Sequence, residues 1–372
     1  MFDAIVVGAG PAGSSAAYHL AQKGCSVLLL EKAVLPRHKP CSGALSPLVA
    51  QWFDFDFDPA IAHKLRRVRY TWKLGDEITS ELQTQDPIWI VERDSFDQFM
   101  VQQAISQGAV LQDGTPVTGI EFAGTHWQVR TPQETFAGRY LVAADGARGP
   151  LAAWLGLDSP VVRQAAIYEV PATVTDAALN FEFGLLKNGC LWCFPQTQGY
   201  VMGAVTFLGK QTPDYQAAFS AYGASFGVDP GAGTLHLSPL KLWDGNRPLH
   251  TRQAVVVGEA GAIVDPLSAE GIRHGMYSGV QAAIAIHAAL QGDGQALAGY
   301  TATLHEWGNN IQWAQRIASV FFRVPGIGYR VGIKRPTMTT RMGQLLAGEI
   351  QYSDVANRIL KRLSTGLIPG RH

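Results

Sequence analysis

Four short apolar runs, each ended by a glycine or an acid, punctuate the chain. Ala4–Val7 stops at Gly8, Val27–Leu30 at Glu31, Leu141–Ala144 at Asp145-Gly146, and Ala254–Val257 at Gly258-Glu259. Runs of this length bounded by turn residues predict buried strands. The small apolar residues of Ala12–Lys23, and those beyond the Gly/Pro loop that follows Gly258, predict helices. Lys64–Trp72, Ala178–Gly184 and Tyr200–Phe207 instead mix aromatic and β-branched residues with partial alternation, which predicts an antiparallel sheet. Within it Asn180–Gly184 alternates strictly, so Phe181 and Phe183 share one face, which either walls an apolar pocket or packs on a helix. From Gln295 onward Tyr300, Leu304, Trp307, Ile311, Ala314 and Ile317 recur at three or four residues, predicting a helix expected to cover that sheet.

The first run carries chemistry. Gly8, Gly10 and Gly13 form a G-x-G-x-x-G turn between a strand and a helix, the pattern of a dinucleotide-binding βαβ unit. Gly8 permits the tight turn, Gly10 lets backbone approach a pyrophosphate beside Ala12, and Gly13 lets the helix pack closely on the sheet. Free N–H groups and the dipole at the helix start favour the anion. Glu31, followed by Lys32, closes the second strand 18 residues after Gly13, where a carboxylate accepts from a ribose.

Residues 251–280 resemble the second FAD motif of the flavoprotein hydroxylase and reductase superfamily, typified by p-hydroxybenzoate hydroxylase. That resemblance implies that Gly258 and Glu259 meet the ribityl chain, with Glu259 standing where aspartate is usual. It also implies that Pro266, Gly271 and Ile272 lie against the isoalloxazine. Asp145-Gly146 resembles a third cofactor signature, and Arg93 matches an arginine that opens a helix near the flavin.

A narrower resemblance is to the geranylgeranyl reductase family. Pro36–Pro47 is similar to its Lys-x-Cys-Gly-Gly segment, with Ser42 in place of a glycine; Gly189–Pro195 is similar to its Tyr-x-Trp-x-Phe-Pro box, with Cys190 in place of the first aromatic. Pro266–Gly279 is similar to its flavin loop. The resemblance implies FAD as cofactor, Cys41 near flavin and substrate, and Gly43, Trp192, Phe194 and Pro195 along a prenyl pocket. It spans roughly residues 1–290.

The implied fold class is α/β, α+β overall. A Rossmann-like FAD-binding domain is expected from 1–63, 90–160 and 245–290, an antiparallel-sheet substrate domain from 64–89 and 161–244, and a helical C-terminal region from 291–372. Composition agrees with a large core and room for an apolar ligand: 47% of the 372 residues are hydrophobic and 16% charged. The net charge of zero conceals an asymmetry, because residues 323–372 carry nine Lys/Arg against Glu349 and Asp354. A basic, aromatic-flanked segment of this kind suits a solvated helix face, an anionic bilayer or a substrate diphosphate. Apolar runs long enough to span a membrane are lacking and Met1 enters the first strand directly, so the expected location is cytoplasmic, in solution or peripherally on a membrane. Nucleic acid is not an expected partner. Of four cysteines, Cys190 and Cys193 form one C-x-x-C without a second pair, and no metal is expected.

Reduced flavin beside a prenyl chain implies hydride transfer to an isolated double bond, for which a proton donor is needed. The candidates are Cys41 by resemblance, and His38 and His274 by their proximity in sequence to the flavin loops, with Trp192 and Phe194 as aromatic lining. NADPH or a reduced carrier such as ferredoxin is the expected electron donor. Two alternatives stand beside it: an oxygen-dependent monooxygenase or halogenase, which shares the flavin motifs, and a non-catalytic prenyl-lipid or flavin-binding protein, suggested by the departures at Ser42, Cys190 and Glu259.

Overall fold

A computed structural model describes residues 1–157, 162–175, 177–209, 212–229 and 231–358. Its first sheet has the strand order β17-β18-β11-β1-β2-β8, built from β1 (Phe2–Val7), β2 (Val27–Leu30), β8 (Val110–Gln112), β11 (Thr135–Ala143), β17 (His250–Thr251) and β18 (Ala254–Val256), with β9 (Gly119–Phe122) and β10 (Trp127–Arg130) continuing from β11. The pairs among β18, β11, β1, β2 and β8 are parallel, which requires cover on both faces and accounts for the unbroken apolar runs. That cover includes α1 (Pro11–Gln22), α2 (Arg93–Ser106) and α5 (Ile272–Leu290). This is a Rossmann-like arrangement, and the chain as a whole is mixed α/β.

The second sheet runs β16-β12-β15-β14-β13-β5-β6. It comprises β5 (Arg67–Trp72), β6 (Gly75–Glu81), β12 (Val162–Pro171), β13 (Leu179–Phe183), β14 (Gly189–Gln196), β15 (Gly199–Thr206) and β16 (Thr234–Lys241). Register assigns its faces. Tyr70 opposes Phe181, Phe181 opposes Trp192, and Phe183 opposes Cys190, so these side chains share one face with Phe194. Leu191 and Cys193 point the other way, into a separate core under α4 (Tyr215–Ala224). The two cysteines of the C-x-x-C therefore lie in different cores. Pro195 alternates with Phe194 and pairs with Tyr200 of the α4 core, so it faces away from the aromatic surface and does not line it. A third sheet, β3-β7-β4, joins Ala44–Leu45, Ile88–Ile90 and His63–Leu65.

Helix α6 (Ala296–Phe321) departs from the expectation that it covers the second sheet. Tyr300, Leu304, Ile311 and Ala314 pack into the core of the first sheet, and the Tyr300 hydroxyl donates to the Val256 carbonyl at 2.7 Å. Only its last turn, with Ala318, reaches the aromatic core. The three-to-four spacing identified an apolar stripe but carries no information about which surface that stripe meets. Beyond α7 (Pro325–Gly328) and α8 (Pro336–Ala347) the chain returns toward the flavin motifs: Ser46 donates to the Ala347 carbonyl at 2.5 Å, and the Tyr352 hydroxyl to Asp265 at 2.6 Å. Of the basic residues in this region, Lys361, Arg362 and Arg371 lie outside the described residues. Among the described residues no helix is long and apolar enough to cross a membrane.

Candidate active site

At the first glycine turn the backbone tolerates little else. Gly8 has φ of +106°, and a Cβ there would stand 2.4 Å from the Ala144 carbonyl oxygen; a Cβ on Gly13 would stand 1.9 Å from the Gly8 oxygen. Gly10 differs. Its Cβ would enter a space whose nearest atoms are Nη2 of Arg37 at 3.8 Å and Nη2 of Arg93 at 3.9 Å. The helix N-terminus and two guanidinium groups thus enclose a gap suited to a diphosphate.

Asp97, fully buried on α2, organises both arginines. Arg93 binds it through Nε at 2.8 Å and Nη2 at 2.9 Å, and Arg37 Nη1 approaches to 2.9 Å. Burial opposes the Arg93 charge, and Asp97 more than offsets this, raising the guanidinium pKa. Arg37 Nη1 is close enough to Asp97 for an ion pair but lies outside hydrogen-bonding geometry, so among the described residues this buried donor has no hydrogen-bond partner. A bound anion would supply one. Glu31 lies alongside with 5% exposure, accepting from Ala9 N at 2.9 Å and Ala33 N at 3.2 Å. Lys32 is exposed.

The second turn closes against the first. Gly258 has φ of +57° and its Cβ would meet Ala12 Cβ at 2.8 Å, while a Cβ on Gly279 would strike the Ala12 carbonyl oxygen at 2.2 Å. Glycines thus let α5 cross α1 closely, with Ser278 Oγ accepting from Gly258 N at 2.9 Å. Glu259 reaches Lys241 N at 3.3 Å; burial raises its pKa while Lys39 acts in the opposite direction. Gly271 caps α5, Ile272 opens it, and Pro266 is buried in the preceding loop. Asp265 ties that loop together, accepting from Leu267 N at 2.7 Å and Ser268 N at 3.1 Å besides Tyr352. Asp145 accepts from Leu151 N at 2.9 Å, but its buried Oδ1 has no hydrogen-bond partner among the described residues and suits a hydroxyl or N–H of a cofactor. The position a Cβ on the adjacent Gly146 would take is open for at least 4 Å.

Residues 37–43 connect this cradle to the aromatic face. The Cys41 thiol lies within electrostatic reach of the Arg93 guanidinium and accepts from Gly43 N at 3.4 Å. Burial and the Arg93 charge both lower the Lys39 pKa. Ser42, which stands where the motif it resembles has a glycine, accepts from the Trp192 indole N–H at 2.8 Å, and its carbonyl accepts from Gln196 at 3.2 Å. The indole in turn lies over Gly203, where a Cβ would be 2.0 Å away. Phe181 stacks on Tyr70 at 5.6 Å and meets Phe194 edge-on at 5.5 Å, while Phe183 packs on Phe321 instead. The Tyr70 hydroxyl is buried on this face without a hydrogen-bond partner among the described residues. For Gly43 the structure supplies a packing reason rather than a substrate contact: its φ is +72° and a Cβ would meet the Val91 oxygen at 1.9 Å.

Neither histidine joins this group. His38 is 58% exposed and binds Glu169 at 2.8 Å. His274 is buried; Trp307 donates to its Nδ1 at 3.2 Å, and Nε2 lies 3.6 Å from Glu270. Burial, aided by Arg273, pushes its pKa down to about 3, so the ring is neutral and carries no proton to donate as an imidazolium. Because the folded pKa lies below the usual 6.5, the stability due to this neutral ring is present above about pH 6.5 and lost as pH falls toward 3. A His274→Gln variant, which retains an acceptor for Trp307, is expected to show a shallower fall in urea-unfolding free energy between those limits. An unchanged slope would mean that the ring is solvated.

The sequence reading missed Arg37, Lys39, Asp97 and Tyr70. Arg37 and Lys39 lie in the Pro36–Pro47 segment, but only the fold brings them to Gly10 and Glu259. Asp97 follows Arg93 by one helical turn, a spacing that pairs opposite charges on a helix and was available as a signal.

A profile of FAD-dependent oxidoreductases matches residues 3–89. The chain is 28% identical over 316 residues to digeranylgeranylglycerophospholipid reductase 1 of Methanothermobacter thermautotrophicus, covering 78% of each protein. It is 26% identical over 310 residues to geranylgeranyl diphosphate reductase of Rhodobacter capsulatus, covering 78% of this chain and 76% of that one. Among solved structures, a geranylgeranyl bacteriochlorophyll reductase-like protein of Thermoplasma acidophilum superposes with a TM-score of 0.75 at 21% identity, over 85% of this chain and 87% of that one. A flavin-dependent brominase superposes with a TM-score of 0.73 at 19% identity, over 98% and 99%. These two superpositions speak to the fold alone.

Proposed function

We propose that this FAD-dependent oxidoreductase, similar to proteins named as geranylgeranyl reductases, saturates carbon–carbon double bonds of a polyprenyl chain. The observation that carries this reading is the junction at Ser42. There the loop bearing Cys41, beside the Gly10 cradle, is hydrogen-bonded to Trp192 of an aromatic face.

Gly10, Arg37, Arg93 and Glu31 would hold the diphosphate and ribose of FAD, and Asp145, Glu259 and the α5 N-terminus the remainder. Bound FAD, when reduced, supplies the hydride for one alkene carbon. Trp192, Phe181, Phe194 and Tyr70 would exclude water, orient the chain and present aromatic faces to positive charge developing at carbon. The Cys41 thiol would give its proton to the second carbon and regain one from solvent. Two electrons from the donor and two protons account for the two hydrogens gained; with NADPH one proton arrives in the hydride and one from solvent, and with an electron carrier both come from solvent. The nearby Arg93 guanidinium would offset the negative charge left on sulfur until a proton returns from solvent.

The first sheet with its helices would act as the FAD domain and the seven-stranded sheet as the substrate domain. Electrons would come from NADPH or a reduced carrier such as ferredoxin. We place the protein in the cytoplasm with peripheral access to a membrane. Exposed Val320, Val324 and Ile327 beside exposed Arg323 and Arg330 support that access.

The test is anaerobic. Flavin-loaded protein reduced with dithionite and given geranylgeranyl diphosphate is expected to yield products heavier by two hydrogens per bond, with NADPH and reduced ferredoxin then compared as donors. Cys41→Ser is expected to retain flavin and slow alkene reduction by roughly 100-fold or more, in the range of general acid catalysis. Undiminished turnover would remove Cys41 from the reaction. Hydroxylated or halogenated product formed only with oxygen would replace the reading with the oxygen-dependent one, and bound lipid without turnover under any reductant would indicate a carrier.

A further inference from the structure

Three side chains from three chain segments, one of them on the loop that carries Arg37, converge on one point. His38 comes from the loop after β2, Glu169 from β12 and His236 from β16, and their ligand atoms all lie within 4.8 Å of one another. His38 Nε2 is 3.0 and 2.8 Å from the two Glu169 oxygens, and His236 Nε2 is 3.3 Å from Oε2. We infer that His38, Glu169 and His236 form a binding site for a divalent transition ion of the zinc type.

The donor set is two neutral-capable imidazoles and one carboxylate, the combination used by first-row divalent ions with an open position left for water. The spacing agrees: bonds of about 2.0 Å around a tetrahedral centre set donors about 3.3 Å apart. Sheet register holds two of the ligands. Ile167 pairs with His236 and Glu169 with Thr234, so Glu169 and His236 sit diagonally on one face of adjacent strands. The third ligand arrives on the loop that carries Arg37, Lys39 and Cys41. An ion here would bridge that loop to the edge of the seven-stranded sheet, three residues from the thiol. The C-x-x-C cannot compete for the same ion, because its two sulfurs lie in different cores.

Calorimetric titration of the chelator-treated, flavin-loaded protein with Zn2+ alone is expected to show one equivalent bound. Co2+ is expected to give tetrahedral ligand-field bands at wavelengths beyond oxidised flavin absorption. Glu169→Gln and His236→Gln should each weaken Zn2+ more than about tenfold, and a Cys190→Ser/Cys193→Ser protein should bind as the parent does. Amide exchange in residues 36–43 should slow when Zn2+ is added. The inference fails if Zn2+ does not bind, or if its affinity survives both the Glu169 and His236 substitutions. These readouts do not involve prenyl turnover, so they stand apart from the reductase reading.

Discussion

A Gly10→Val protein should fold and purify without colour. At Gly8 or Gly13 a Cβ would collide with carbonyl oxygens at 2.4 and 1.9 Å, so substitution there damages the turn itself. At Gly10 the nearest atoms to an added Cβ are guanidinium nitrogens at 3.8 and 3.9 Å, and no positive φ strains the backbone. The branched side chain would occupy the gap between the helix N-terminus and the two arginines, the volume a diphosphate needs. Visible absorbance per protein should fall to the background of free flavin, while far-ultraviolet dichroism and the unfolding midpoint of the flavin-free protein stay close to the parent's. A yellow, stoichiometrically loaded variant would show that the diphosphate does not pass Gly10.

Asp97→Asn should cost about 3–5 kcal/mol of unfolding free energy in the flavin-free protein, the scale for breaking a buried ion pair while leaving its partner charged. Here Arg93, 10% exposed, loses the carboxylate it binds, and Arg37, 16% exposed, keeps among the described residues only Glu31 at 3.5 Å. Flavin should recover part of the loss, because the cofactor diphosphate gives both guanidinium groups a counter-charge. The measurement is urea unfolding of the variant and parent with and without FAD. A change below about 1 kcal/mol, in the range of exposed pairs, would mean that Asp97 does not carry the arginines as the geometry indicates.

Ser42 and Cys190 illustrate how departures from a motif become legible. In isolation, a serine replacing glycine weakens the match to the Lys-x-Cys-Gly-Gly segment. In the fold its hydroxyl accepts from Trp192 across a sequence separation of 150 residues, joining two motifs that the chain keeps far apart. Cys190, where the resembled motif has an aromatic, sits opposite Phe183, which packs edge-on against Phe321.

What the amino-acid order determined by itself was local and steric. Apolar runs bounded by glycine specify buried parallel strands, strict alternation places Phe181 and Phe183 on one face, and a Cβ-free position is required wherever two backbones approach within a carbonyl's reach. These follow from chain geometry over a few residues, so they could be read without a partner surface. The tertiary structure decided which surfaces meet. It brought Arg37 to Asp97, sent His38 out to Glu169, buried His274 beside Trp307, turned Pro195 away from Trp192 and laid most of α6 on the first sheet. Periodicity marks a residue as apolar, and a motif marks it as near a turn. Neither states the distance to a side chain 60 or 150 positions away, and such distances set the charge, burial and proton state on which the chemistry depends.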